Sequence, residues 1–213
     1  MNWLLKLKTK ILSFLTTRIS GVNLHNFAKF YQIYKIWFNI KLDSIKGDYV
    51  EFGIFKGKSL LHSVNVTKKL DIFSDKNFWG LDSFSGFPVE NHDFYLSENF
   101  KSSKKKVEKP FINYKNVHIV EGFFEDSVTS KELASISNIS FAFIDCDIYE
   151  SAETAFKYIK KKISNGGFIM IDDFSSIDKN GNYIAKSFYE VFADRNILFF
   201  DSYSNGQTFR VME

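Results

Sequence analysis

Apolar positions recur at helical spacing in the first forty residues and in short strand-length runs thereafter. In the opening stretch Leu4, Leu7, Ile11 and Leu15 fall on one helical face, with Lys6, Lys10, Ser13 and Thr17 opposite and Lys8 at the edge. Residues 23–42 form a second, aromatic-rich helical stretch with Asn23 as its cap. After Gly47 the pattern changes. Strands are expected at 48–52, 77–81, 117–120, 139–144, 167–171, 197–201 and 208–212. Helices are expected at 59–70, 125–133, 148–163 and 183–194, with an irregular stretch from 82 to about 110. Strands alternating with helices predict βαβ units and a mostly parallel sheet covered on both faces. No helix separates the last two strands, so one of them should run antiparallel. The expectation is an α/β, Rossmann-like, doubly wound sheet of seven strands. It is read as one domain over 1–213, with a helical extension (1–44) and a core (45–213).

Composition narrows the function classes. A balance of 45% apolar and 25% charged residues is that of a globular chain, which excludes disorder. A net charge of +3 does not argue for nucleic acid, and the lysine run at 101–106 lacks arginine and interleaved aromatics. The single cysteine, Cys146, excludes an internal disulfide. Lysines interrupt the first twenty residues too often for a signal peptide, and no apolar run approaches the roughly 18 residues of a spanning helix. A cytoplasmic protein is expected. The first helix packs on its own domain or on a partner subunit, with peripheral membrane contact of residues 1–18 as the alternative.

The chemistry lies where strands end, since open parallel sheets bind ligands outside the carboxyl ends of their strands. After the first strand, EFGIFKGKS (51–59) places Gly53 and Gly57 in the turn and Ser59 at the helix start. Phe55 breaks the G-x-G-x-x-G dinucleotide pattern, and Glu51 favours a cationic ligand over a pyrophosphate. The second strand ends in Asp82-Ser83-Phe84, where Asp82 either accepts ribose hydroxyls or caps a turn. After the third, Gly122, Phe123 and Phe124 offer a glycine and two rings that stack on a base or pack in the core. The fourth and fifth strands bring Asp145, Asp147, Asp172 and Asp173 close together. Asp147-x-x-Glu150 reads as a capping box and Gly166-Gly167 as a helix stop. Four neighbouring carboxylates raise one another's pKa, and a bound cation relieves that conflict. With oxygen ligands alone, Mg²⁺ is favoured over zinc. Cys146 reads as a buried filler, His25, His62 and His118 as structural, and His92 as a loop residue or a substrate contact.

Taken together these motifs resemble the macrocin O-methyltransferase family over residues 47 to about 174. The most specific piece is Asp147-x-Tyr149-Glu150-Ser151, followed by Gly166-Gly167 with Asp172-Asp173. The resemblance implies a class I methyltransferase fold, S-adenosylmethionine and Mg²⁺ as cofactors, and a sugar-containing small-molecule acceptor. It implies cofactor binding by Glu51, Gly53, Gly57, Ser59, Asp82, Ser83, Phe84, Gly122, Phe123, Phe124 and Asp145. Metal binding would fall to Asp147, Asp172 and Asp173, with Asp147 also the general base. A homo-oligomer that binds no nucleic acid is expected, and residues 84–110 are expected to form part of a lid over the acceptor. Three rivals make different predictions. A nucleotide-cofactor oxidoreductase or epimerase requires the missing G-x-G-x-x-G turn. A non-catalytic module predicts loss of carboxylates that are all present. A metal-dependent methyltransferase of catechol-like diols shares the same chemistry.

Overall fold

The computed structural model describes residues 3–88 and 96–212. Two helices open the chain, α1 (Trp3–Arg18) and α2 (Gly21–Leu42), followed by β1 (Asp48–Phe52), α3 (Lys58–Lys69) and β2 (Phe78–Asp82). The short α4 (Lys104–Glu108) precedes β3 (Val117–Glu121), then α5 (Phe124–Ser127), α6 (Lys131–Ala134) and β4 (Ile139–Ile144). The chain ends with α7 (Tyr149–Lys160), β5 (Ile163–Ile171), α8 (Ile184–Val191), β6 (Ile197–Tyr203) and β7 (Gly206–Val211). The seven strands lie in the order β3-β2-β1-β4-β5-β7-β6. Strands β1 to β5 are parallel, and β7 runs antiparallel between β5 and β6, as the missing helix requires. This is the seven-stranded class I methyltransferase sheet. Strand order reverses between β1 and β4, so the crevice for a ligand opens at their carboxyl ends.

Alternation along the central strands sends side chains to two cores. One face carries Val50, Phe52, Leu81, Ala142, Ile144, Ile169 and Ile171 under α7 and α8. The other carries Tyr49, Phe78, Phe141, Phe143 and Phe168 under α2 and α3. Helix α2 is seated by Ile33, Ile36, Trp37 and Ile40, and the indole of Trp37 meets Phe141 edge-on at 5.5 Å. Burying a ring of this size contributes several kcal/mol, on the order of the 3–5 lost when such residues are truncated. That packing fixes the neighbouring residues of the same face, His25 and Lys29, over the strand ends.

Several sequence expectations change. Ser20, not Asn23, caps α2, its side chain accepting from the Asn23 amide. The helix expected over 125–133 is two helices, because Ser130 caps a new start by accepting from the Leu133 amide. Gly166-Gly167 does not stop a helix, for α7 already ends at Lys160. The pair lies in β5, where the register slips between Ile139↔Ile163 and Phe141↔Phe168 and Gly166 takes φ +76°. Asp147 and Glu150 form no capping box: Ile148 is the N-cap of α7 and no side chain caps it. Helix α1 leaves Leu7, Ile11, Leu12 and Phe14 exposed.

Candidate active site

Backbone geometry builds the site first. Asp145 donates its amide to the Phe52 carbonyl at 2.9 Å, extending the β1–β4 ladder past both strands. This approach requires Gly53: at its φ of +91°, a Cβ would lie 1.9 Å from the Asp145 carbonyl oxygen. Phe55, Phe84 and Asp147, each just beyond a strand end, take positive φ of 46°, 54° and 63°. Such conformations cost about 1–3 kcal/mol each in non-glycine residues and cluster where a ligand site demands them. Asp82 holds two of these turns. Its carboxylate accepts from the Phe55 and Phe84 amides at 2.7 Å each, while burial pushes its pKa up against those bonds.

Two cavities meet at these strand ends. The first is lined by Gly53, Asp82, Ser83, Gly122, Phe123 and Phe124 from the strand ends, and by Phe87, Pro88 and Phe100. Its free volume is about 50 Å³. The second, about 430 Å³, lies under α2 and is lined by His25, Asn26, Lys29, Lys56, Lys58 and Ser59, among others. Gly53, Phe55, Phe100, Asp145 and Asp147 line both cavities. A carboxylate wall therefore separates, and joins, a small space over β1–β3 and a larger one under α2.

The expected site residues divide accordingly. Gly53, Asp82, Ser83, Gly122, Phe123, Phe124 and Asp145 line the first cavity, with Phe123 partly exposed and Phe124 packed edge-on against Phe52. Ser59 lines the second. Glu51, Gly57 and Phe84 line neither. Glu51 points into the core, where it accepts from Tyr49 Oη at 2.7 Å and from Ser59 Oγ, and burial pushes its carboxyl up to about 7. Its partner Ser59 stands between it and the second cavity's lining. Gly57 is the left-handed N-cap of α3, and Phe84 is buried among the α2–α3 side of the core. Cys146 is buried as expected, while His92 lies outside the described residues.

The acidic group also differs from expectation. Asp145, Asp147 and Asp173 bring one carboxylate oxygen each within 4.8 Å of one another. Burial and mutual repulsion push Asp145 and Asp147 well above the usual carboxylate range. Asp172 stands aside from this trio. Its Oδ2 meets the Lys29 ammonium at 2.7 Å and His25 Nε2 at 3.1 Å, and its Oδ1 accepts from Tyr203 Oη at 2.8 Å. Burial would raise Asp172, but these partners hold it below the usual range. Lys29 also pairs with Asp145 Oδ2 at 2.8 Å. Burial alone would lower the Lys29 ammonium, and the two aspartates reverse this and raise it.

His25, Lys29 and Tyr203 were missed by sequence reasoning. A usable signal existed on α2: a cation at position 29 shares its face with Ile33, Ile36 and Ile40, where an unpaired lysine would not be buried.

A family model described as Macrocin-O-methyltransferase (TylF) matches residues 24–197, so the match includes most of α2 and the five parallel strands β1 to β5. The demethyldecarbamoylnovobiocin O-methyltransferase of Streptomyces niveus is 26% identical over 146 residues, covering 62% of this chain and 54% of that protein. The 8-demethyl-8-(2,3-dimethoxy-alpha-L-rhamnosyl)-tetracenomycin-C 4'-O-methyltransferase of Streptomyces olivaceus is 26% identical over 149 residues, covering 62% and 55%. The chain thus spans about half the length of the curated relatives it matches. Among solved structures, the O-methyltransferase NovP superposes with a TM-score of 0.71 at 21% identity, covering 87% of this chain and 80% of that one.

Proposed function

The chain belongs to the macrocin O-methyltransferase family, and from that premise we propose that it transfers a methyl group from S-adenosylmethionine to a hydroxyl of a sugar-containing acceptor, assisted by Mg²⁺. The observation that carries this reading is the shared carboxylate wall between the two cavities. Methyl transfer from a sulfonium is an in-line displacement, so donor and acceptor must approach one reacting point from opposite sides. The first cavity offers the donor's nucleoside a carboxylate at Asp82, a glycine at Gly122 and the rings of Phe123 and Phe124. The second offers the acceptor room and polar groups from α2 and the β1–α3 turn.

The three carboxylates fit a divalent cation by their chemistry. They are hard oxygen donors gathered closely enough to raise two of their own pKa values. The metal set proposed here is Asp145, Asp147 and Asp173, with Asp145 in the place first given to Asp172. A cation bound there would stabilise a developing alkoxide and lower the pKa of an acceptor hydroxyl. Asp147, in the wall between the cavities, is the base that takes the hydroxyl proton. Asp145 and Asp173 orient the acceptor edge, and Phe55 and Phe100 exclude water from the junction.

Calorimetric titration with S-adenosylmethionine and S-adenosylhomocysteine tests the donor half. One site per chain for both ligands is expected, including in the presence of chelator, because the nucleoside contacts proposed here, Asp82, Gly122, Phe123 and Phe124, are not in the proposed metal set. Absence of heat with either ligand would overturn the proposal.

A further inference from the structure

Lys29 occupies an unusual position for a lysine. It is 8% exposed, it comes from α2 rather than from a strand end, and its ammonium bridges Asp145 at 2.8 Å and Asp172 at 2.7 Å. The same helical face delivers His25 to Asp172 and Gln32 to Thr208, at 3.1 and 2.9 Å. Below Gln32 the face is apolar, and Ile33, Ile36, Trp37 and Ile40 anchor it. The ammonium is therefore held in place by the whole helix. Four aspartates meet at these strand ends, and Lys29 pairs with two of them.

We propose that Lys29 is a tethered counter-ion that sets the affinity of the acidic group for a divalent cation, by sequestering Asp172 and sharing Asp145. The ammonium and a metal compete for the charge of the same carboxylates, because two cations held by one carboxylate repel each other. Asp172 takes Lys29 and His25 on one oxygen and Tyr203 on the other, while Asp145, Asp147 and Asp173 bring one oxygen each together. Lys29 is a positioning residue in this account, because it acts on the metal through the carboxylates.

The inference rests on the metal reading given under the proposed function, and its test separates the two. Mg²⁺ would be titrated by calorimetry, and Mn²⁺ by electron paramagnetic resonance, into the cofactor-free full chain and into Lys29→Met and Lys29→Arg. Lys29→Met should bind both ions about tenfold or more tighter than wild type, since a unit positive charge at contact distance from a ligand has been removed. Lys29→Arg, which keeps the charge, should stay within about threefold of wild type. Should Lys29→Met fail to fold, Lys29→Met/Asp172→Asn removes one charge of each sign, and it too should bind tighter than wild type. Unchanged or weaker binding in the Met variants overturns the counter-ion role alone, as does equal tightening in Lys29→Arg. No metal binding by any of the proteins overturns the metal reading and this inference with it.

Discussion

At the scale of single residues, burial decides what each carboxylate is for. Glu51 lies within β1 and Asp147 just beyond β4, and they do different work. Asp147 lines both cavities at a left-handed backbone position that Asp and Asn tolerate better than other side chains, and it caps no helix. Glu51 is sealed in the core against Tyr49 and Ser59. Its carboxyl is raised from an ordinary 4.5 to about 7, so between those pH values the folded chain holds a proton that the unfolded chain releases. Stability from this group is thus full below pH 4.5 and is lost as pH rises through about 7, by about 3 kcal/mol. Urea unfolding at pH 5 and pH 8 checks this: in Glu51→Gln the stability difference between the two pH values should shrink by about that amount. An unchanged difference would show that Glu51 is ionised in the fold.

At the scale of elements, residues on either side of the undescribed stretch after β2, Phe87, Pro88 and Phe100, line the first cavity. About 50 Å³ is far below the 300 Å³ or more of an ordinary ligand pocket, and Phe100 lines it while packing on Phe87 at 4.7 Å. On the proposed reading this ring withdraws as the cofactor enters, so Phe100→Ala should speed association several-fold in stopped-flow mixing, because binding that waits on a rearrangement is slow. An association rate equal to wild type would show that the ring is no barrier. The strands of this fold were legible because β1, β2 and β4 are buried apolar runs between turn signals. The start of β5 was not, because Ile163-Ser-Asn-Gly reads as a loop and only pairing with β4 makes it a strand. The strand-end residues of the site were legible for a topological reason: a parallel sheet collects Gly53, Asp82, Gly122 and Asp145 on one edge. Lys29 was not, since it lies 116 residues from Asp145 in sequence and nothing local predicts that α2 crosses that edge.

At the scale of the whole molecule, the sheet's reversal between β1 and β4 opens a crevice, and α2 roofs the half of it that the nucleoside cavity does not use. Among the described residues no helix is long and apolar enough to cross a membrane. The account makes one joint claim: donor and acceptor meet across Asp147. It is tested most directly by following methyl transfer from S-adenosylmethionine to a rhamnosyl-bearing or nucleotide-sugar acceptor with Mg²⁺, using mass spectrometry, in wild type and Asp147→Asn. Asparagine keeps the shape and tolerates the backbone conformation, so cofactor affinity should be nearly unchanged while turnover falls by roughly two or more orders of magnitude, the usual scale of general-base loss. Full turnover in Asp147→Asn would contradict the account.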